Sequence, residues 1–223
     1  MKSKTLLGLV IAVAAAAAIF WFLDLGSTLT GGYSRAVNNL IARNIEARGG
    51  ADAWRAVSTL RMTGQMDLGQ GMYVPYTLEQ KRPDQMCLEF EFEEQIATQC
   101  VAGGSGWKVL PYLGRDFPEL MTPDELRSMS DAASIDGLLF ESEQRGHMVE
   151  ILGHESLDGR DTIKVEVTLP AGGKRWIYLD ADTALEVRMD SLRTLRGQER
   201  LVQTFYDDWR ATDGLLIPRR QVT

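Results

Sequence analysis

Side chains that bind metals or act as nucleophiles are scarce in this chain, which has two histidines and two cysteines among 223 residues. His147 and His154 lie on one predicted strand and its edge, where we expect them to be solvated and to face opposite sides. No second histidine follows His154 at helical spacing, and no Gly-x-Ser-x-Gly sequence is present. The sequence therefore predicts no catalytic, metal or cofactor site, and we expect the protein not to be an enzyme.

Positive charge is also in short supply, since the formal net charge is −7 at pH 7. Proteins that bind nucleic acid need a basic face to neutralise phosphates. The chain also lacks internal repeats, low-complexity tracts and blocks of like charge. Nucleic acid is therefore excluded as an expected partner.

Only one long uncharged apolar run occurs, over residues 6–23, directly behind a basic start with Lys2 and Lys4. As a helix the run would measure about 27 Å, close to the thickness of a bilayer core. No good small-x-small cleavage site follows it, which favours an uncleaved anchor at the periplasmic face of the inner membrane. The alternative is a cleaved signal peptide, which would leave a soluble periplasmic protein. We therefore divide the chain into an anchor or signal segment (1–24), a short linker (25–32) and one domain (33–223).

The domain begins with a helical pattern over residues 33–48, ended by Gly49-Gly50, and then changes to the two-residue period of strands. If Leu68 pairs with Met72 across the first turn, Met62 lies opposite Leu78 and Met66 opposite Val74. A second helix is predicted over 123–133, where Thr122 caps the N-terminus and Pro123 takes the first helical position. Residues 134–140 are expected to be a loop or short turn. The strands are predicted over 60–68, 72–78, 86–92, 95–102, 106–112, 147–154, 160–169, 174–180, 184–194, 198–211 and 215–222.

About eleven short strands at hairpin spacing, with two helices, predict a mainly β (α+β) domain. The apolar face of a strongly curved antiparallel sheet should be covered by the N-terminal helix and the mid-chain helix.

Several stretches of the sequence resemble the LolA-like family of periplasmic lipoprotein-sorting proteins. They are residues 48–64, Glu79-Gln-Lys-Arg-Pro83, Gly103-Gly-Ser-Gly-Trp107, Thr122-Pro-Asp-Glu-Leu126, Tyr178-Leu-Asp-Ala-Asp-Thr183 and Asp213-Gly-Leu-Leu-Ile-Pro218. The resemblance covers about residues 40–223 and rests on turns and caps. It implies a half-open barrel of about eleven strands, helices that close its mouth, and a cavity that holds acyl chains. A retained anchor would set this chain apart from the soluble carriers of the family.

The apolar face of the first three strands is the candidate ligand site. Methionine is frequent there, and its flexible thioether side chain adapts to ligands of variable shape. The alternative is an ordinary core in which methionine fills gaps. The predicted cavity residues are Met62, Met66, Val74, Tyr76, Leu78, Leu88, Phe90 and Phe92.

Cys87 and Cys100 are the only cysteines, and an exported compartment permits a disulfide. If Glu93 and Glu94 form a two-residue hairpin, Cys87 lies directly opposite Cys100 in a closely spaced pair. If the loop has three residues, Cys100 lies opposite Leu88 and the two cysteines face opposite sides. The alternation of apolar residues does not decide between these registers.

We therefore expect a cell-envelope protein that holds a lipid, or the acyl chains of a lipoprotein, in a hydrophobic half-barrel without a cofactor. The domain is expected to be monomeric. The main alternative is a membrane-anchored sensor or regulator that binds a protein partner through the same fold, and a weaker one is a structural envelope component.

Overall fold

The computed structural model describes residues 32–68, 70–170, 172–195 and 198–223. The predicted anchor and nearly all of the predicted linker lie outside these residues. No helix within the described ranges is long and apolar enough to cross a membrane. The folded unit described below comprises Val37–Thr223.

Six antiparallel strands in chain order form the first sheet. The predicted register of its first hairpin is confirmed, since Met62 pairs with Leu78 and Met66 pairs with Val74. Alternation fixes this register because a slip of one residue would turn the apolar side chains outward. The strands are β1 (Thr59–Asp67), β2 (Tyr73–Lys81), β3 (Gln85–Phe92), β4 (Gln95–Ala102), β5 (Ser105–Leu110) and β6 (Arg115–Leu120).

The end of this sheet differs from the sequence prediction of a single strand over 106–112. Strand β5 stops at Leu110, and Pro111–Leu113 forms a 3₁₀ turn that ends at Gly114 in the left-handed conformation. The chain then returns as β6, so the fold has twelve strands and not about eleven. Strand β6 was missed because it contains Pro118 and is mostly exposed, which is typical of an edge strand.

A second six-stranded antiparallel sheet follows in the order β12-β11-β10-β9-β8-β7. Each of its strands corresponds to a predicted strand, with ends shifted by a few residues. Its strands are β7 (Met148–Leu157), β8 (Arg160–Thr168), β9 (Lys174–Asp180), β10 (Glu186–Leu195), β11 (Gln198–Thr212) and β12 (Leu215–Val222).

The described residues form three α-helices: α1 (Arg35–Ala47), α2 (Ala51–Ala56) and α3 (Pro123–Ala132). Helix α1 buries Leu40 against β8 and β9, in a cluster that we call the α1 cluster. Helix α3 begins with a capping box, in which the Thr122 backbone N–H donates to Glu125 Oε2 at 2.8 Å. It packs closely on the first sheet at Gly106, where a Cβ atom would lie 3.1 Å from Leu126 Cδ1. The two predicted covering helices are thus in place.

The two sheets are joined by side-chain packing near the start of β1 and the start of β12. Leu60 of β1 and Ile217 of β12 both pack against a cluster centred on Trp54, which we call the seam cluster. The Leu216 backbone N–H donates to the Arg48 carbonyl beside this seam, at 3.0 Å. The twelve strands therefore form a half-open barrel. Its inner face carries Phe90 in the first sheet and Ile177 in the second.

The segment between α3 and β7 is more than a connection between the sheets. Ile135 and Phe140 belong to the seam cluster, and Leu139 belongs to the α1 cluster. The carboxylate of Asp136 is ion-paired with Arg82. The predicted loop over 134–140 is correct in backbone conformation, but its side chains form part of the core.

Candidate functional site

One apolar cluster occupies the inner face of the first sheet. Its buried members are Val74, Phe90, Ala97 and Leu110, and its half-buried members are Met66, Tyr76, Leu88, Phe92 and Tyr112. We call it the open cluster. It gathers six of the eight predicted cavity residues, because alternate residues on paired strands share one face of a sheet.

The open cluster differs from the other apolar clusters in what covers it. The α1 cluster includes Leu40 of α1, and the seam cluster includes Trp54 of α2. A fourth cluster, the α3 cluster, includes Leu126 and Met129 of α3. Among the described residues, the members of the open cluster all come from β1–β5 and the 3₁₀ turn. None of the described helices contributes a side chain to it.

Tyr112 of the 3₁₀ turn is the side chain that reaches over this cluster. Its ring centroid lies 6.0 Å from that of Phe90 and 5.3 Å from that of Phe92, the second contact being edge-on at 73°. Such tilted and edge-on pairs are favourable arrangements of aromatic rings. The turn is anchored at two strands, since β5 precedes it and β6 follows it. Tyr112 therefore acts as a small lid on this apolar cluster.

A cavity of about 400 Å³ opens beside the open cluster, at the end of the sheet that carries the β1–β2 and β3–β4 turns. Val74 and Phe92 belong both to the cluster and to the lining of this cavity. Its volume lies within the range of small-molecule sites. Its remaining lining consists of Met72, Tyr73, Pro75, Glu91, Glu93 and Glu94. The entrance is thus apolar at the base and acidic at the rim.

The remaining predicted cavity residues lie elsewhere. Leu78 packs in the α3 cluster beside buried Met86. Met62 is half-buried and belongs to none of the four clusters. Met72 is 47 % exposed at the β1–β2 turn. The four methionines of the first three strands are therefore dispersed over several environments.

The two cysteines form a disulfide across β3 and β4. Cys87 pairs directly with Cys100, which is the register of the two-residue hairpin. Glu93 and Glu94 form that turn with positive φ angles of 52° and 60°. Because Cys87 alternates with Leu88 and Phe90, the disulfide lies on the outer face, away from the open cluster.

The outer face near the disulfide also carries exposed apolar side chains. Trp107 of β5 pairs with Cys100 on one side and with Leu120 of β6 on the other. Trp107 is 41 % exposed and Leu120 is 81 % exposed. We call these two side chains the outer apolar row.

His147 is buried, contrary to the expectation that it is solvated. It lies just before β7 under the loop that crosses between the sheets, and its Nδ1 donates to the Leu138 carbonyl at 2.9 Å. Burial lowers the pKa of His147, and the nearby Arg145 lowers it further, against the opposite effect of the Leu138 hydrogen bond. His154 is exposed on β7 and lies 3.1 Å from the Asp161 carboxylate. Within the described ranges, no three His, Cys, Asp or Glu side chains are grouped closely enough to hold a metal ion.

Sequence reasoning missed Ala97, Leu110 and Tyr112 as members of the open cluster. The register of the two-residue hairpin places Ala97 on the inner face, but the sequence did not decide between this register and that of a three-residue loop. Leu110 and Tyr112 were placed in one continuous strand, where alternation would set them on one face. The available signals were Pro111 and Gly114, which bracket a turn.

No protein-family model matches the chain, and no curated protein matches it significantly. Several solved structures are similar to this one, among them the following three. A DUF1329 family protein from Desulfovibrio piger has a TM-score of 0.53 and 15 % identity, over 82 % of this chain and 83 % of that chain. A LolA superfamily protein from Nitrosomonas europaea has a TM-score of 0.51 and 13 % identity, over 83 % of both chains. A Vibrio parahaemolyticus domain described as an outer membrane lipoprotein-sorting protein has a TM-score of 0.44 and 12 % identity, over 74 % of this chain and 75 % of that chain.

At these identities the likeness concerns the fold. The two higher-scoring structures each match more than four-fifths of this chain, which includes most of both sheets. The resemblance to LolA-like proteins that the turn and cap motifs indicated is therefore confirmed at the level of the fold. The domain of this chain has the fold of the LolA superfamily, a half-open β-barrel with helices packed against its inner face.

Proposed function

We propose that the protein is a cell-envelope binding protein that holds a lipid, or the acyl chains of a lipoprotein, on the open cluster. The observation that carries this proposal is the apolar inner-face cluster around Phe90 and Phe92, to which Tyr112 of the 3₁₀ turn contributes a side chain and the described helices contribute none. An apolar inner face beside an open cavity is typical of a ligand-binding groove. The adjoining cavity offers a path by which an acyl chain could enter.

The proposed role needs no covalent chemistry. Acyl chains bind through removal of apolar area from water, at roughly 25 cal/mol per Å². Flexible Met66 at the edge of the open cluster suits chains of varied length and saturation. The protein would thus act as a carrier or holder of lipid and not as an enzyme.

Lipid extraction tests the proposed function. The full chain is purified in a neutral detergent, its lipids are extracted, and they are identified by mass spectrometry. We expect an acylated lipid or lipopeptide to copurify with the parent chain and to be lost from a Phe90→Glu variant that remains folded. Equal amounts from the two proteins would overturn the proposal.

We also propose that residues 6–23 remain attached and hold the domain at the periplasmic face of the inner membrane, with residues 25–32 as the tether. Retention would let the monomeric domain receive or present lipid only near that membrane. Mass spectrometry of the protein from washed membranes tests this. A chain that begins at Met1 supports the anchor, and a mature N-terminus between Gly26 and Tyr33 would restore a soluble carrier.

A second function, the binding of a protein partner in a sensor, is favoured by the outer apolar row. Exposed Trp107 and Leu120 lie side by side on the face opposite the open cluster. Aromatic side chains at exposed positions are frequent in protein interfaces. Two results together would favour this function. The purified chain would carry no lipid but would bind a defined membrane protein, and changing Trp107 and Leu120 to Ser would abolish that binding.

A further inference from the structure

The inner face of β10 and β11 is polar, in contrast to the open cluster. Met189 packs against the α1 cluster, so its side chain points inward. Ser191 and Arg193 follow at two-residue steps and share that face. On β11, Thr204 pairs with Met189 and Arg200 pairs with Arg193. These two strands therefore present hydroxyl and guanidinium groups to the interior of the half-barrel.

Arg193 carries a positive charge that no described acidic side chain neutralises. Its Nε atom is buried and has no hydrogen-bond partner. Other arginines that reach the interior are paired, since Arg175 is ion-paired with Asp131 and Arg48 lies 3.4 Å from Glu186. A partly buried cation without a counter-charge is costly. Arg193 is thus suited to a negatively charged partner from outside the chain.

Arg200 adds a second positive charge at the position directly opposite. Its guanidinium donates to Gln198 Oε1 at 2.8 Å, and among the described residues no acidic side chain pairs with it. Like charges directly opposite each other on one face of a sheet are destabilising. A bound anion would relieve this repulsion.

Tyr206 lies farther along the same face of β11. Burial, together with the charge of Glu186, raises the pKa of Tyr206 to about 12, against the lowering effect of Arg48 and Arg193. The hydroxyl therefore keeps its proton at neutral pH and is able to donate a hydrogen bond.

We propose that Arg193 and Arg200 form a binding site for an oxyanion. Guanidinium groups bind phosphate and carboxylate oxygens through charge-assisted hydrogen bonds. The anion is either the phosphate of a lipid head group or free inorganic phosphate. The lipid assignment rests on the proposed function, whereas the anion site stands without it.

Under the proposed function, the ligand would be a single amphiphile with its acyl chains on the open cluster and its anionic head group at Arg193 and Arg200. The sheets that carry these two surfaces are joined at the seam cluster, through Leu60 of β1 and Leu215 of β12.

Two measurements on the full chain test the site. Thermal unfolding is compared in sodium phosphate and sodium chloride at equal ionic strength. Native mass spectrometry of the chain in neutral detergent compares the binding of dioctanoyl phosphatidate with that of dioctanoylglycerol. The variants are Arg193→Gln and Arg200→Gln. The control is Arg61→Gln, which removes the same charge from an exposed position on β1.

We expect phosphate to raise the Tm of the parent chain and of Arg61→Gln, but not of the two site variants. We also expect the parent to prefer phosphatidate by about tenfold, a preference that each site variant loses while dioctanoylglycerol binding stays constant. Stabilisation by phosphate without a lipid preference would support a site for the free anion. Equal behaviour of parent and site variants in both assays would overturn the site. Failure of both lipids to bind would contradict the proposed function, while the phosphate assay would still decide the anion site.

Discussion

The ring of Tyr112 packs edge-on against that of Phe92, with the two centroids 5.3 Å apart. One residue comes from a three-residue turn between β5 and the edge strand β6, and the other from the inner face of β3. This contact closes the open cluster at the end where the cavity begins. A short turn can shift with little disturbance of the two sheets, so the contact is suited to opening when an acyl chain enters.

Replacing Tyr112 by Ala should therefore open the cluster. We expect a loss of about 1–3 kcal/mol in the free energy of unfolding, because two aromatic contacts of a half-buried ring are removed. We also expect faster and tighter uptake of a fluorescent fatty acid, measured by stopped flow. Tyr112→Phe keeps the ring and serves as the control. Slower uptake in Tyr112→Ala than in the control would show that the ring holds ligand and does not cover the site.

Phe90 lies at the centre of the open cluster and is 7 % exposed. Phe90→Glu should place an unpaired carboxylate among apolar groups, and should either unfold the domain or abolish acyl-chain binding. Phe90→Leu should cost only about 1 kcal/mol and preserve binding. Phe117→Glu adds the same charge at an exposed aromatic residue of β6 and should leave both folding and acyl-chain binding unchanged. Circular dichroism and a fatty-acid titration measure these effects, and undiminished binding by folded Phe90→Glu would refute the assignment of the inner face.

The Cys87–Cys100 disulfide should stabilise the domain without taking part in binding. Closing a loop of this length restricts the unfolded chain, and its loss should cost about 3 kcal/mol. We expect a reductant to lower the Tm of the parent chain while the affinity for acyl chains stays constant, because the bridge lies on the outer face. A Cys87→Ala, Cys100→Ala double variant should be insensitive to the reductant. A large fall in affinity on reduction would place the disulfide in the site.

The hairpin registers show how much of the fold the sequence predicts. The pairing of Met66 with Val74 follows from strict alternation across a short turn, and it is confirmed. The pairing of Cys87 with Cys100 could not be chosen from the sequence, because both faces of β4 mix apolar and polar residues. Its register depends on a turn of two glutamates in left-handed conformations, which glutamate rarely adopts.

The periodicity of the sequence could not predict which residues cover the candidate site. Three residues of a 3₁₀ turn are too few to show a period, so Pro111 and Tyr112 were predicted as the end of a strand over 106–112. Ile135 and Phe140 are buried in irregular backbone, where the sequence has no period that could predict their burial. Long-range ion pairs such as that of Arg82 with Asp136 join residues 54 apart, and no local pattern reveals them.

The buried His147 predicts a loss of stability in acid. Its pKa is lowered in the folded domain, so the unfolded chain binds more protons near and below pH about 6.5, the ordinary value for histidine. The contribution of neutral His147 to stability is therefore complete above that pH and is lost as the pH falls through the lowered folded-state pKa. We expect Tm to fall between pH 7 and 5, and His147→Gln to flatten this part of the profile.

His154→Gln is the matched control for that experiment, since His154 is the other histidine of the chain and is exposed. We expect its pH profile to follow that of the parent between pH 7 and 5. If His154→Gln flattened the profile and His147→Gln did not, burial of His147 would not be the cause.

Photochemical crosslinking tests the central claim most directly. A fatty acid with a diazirine near the end of its chain is bound to the full chain, irradiated, and located by peptide mass spectrometry. The account predicts crosslinks to the inner face of β2 and β3, around Val74, Phe90 and Phe92, and to Tyr112 of the 3₁₀ turn. Crosslinks confined to the outer apolar row, or spread evenly over the domain, would contradict the claim that acyl chains bind on the open cluster.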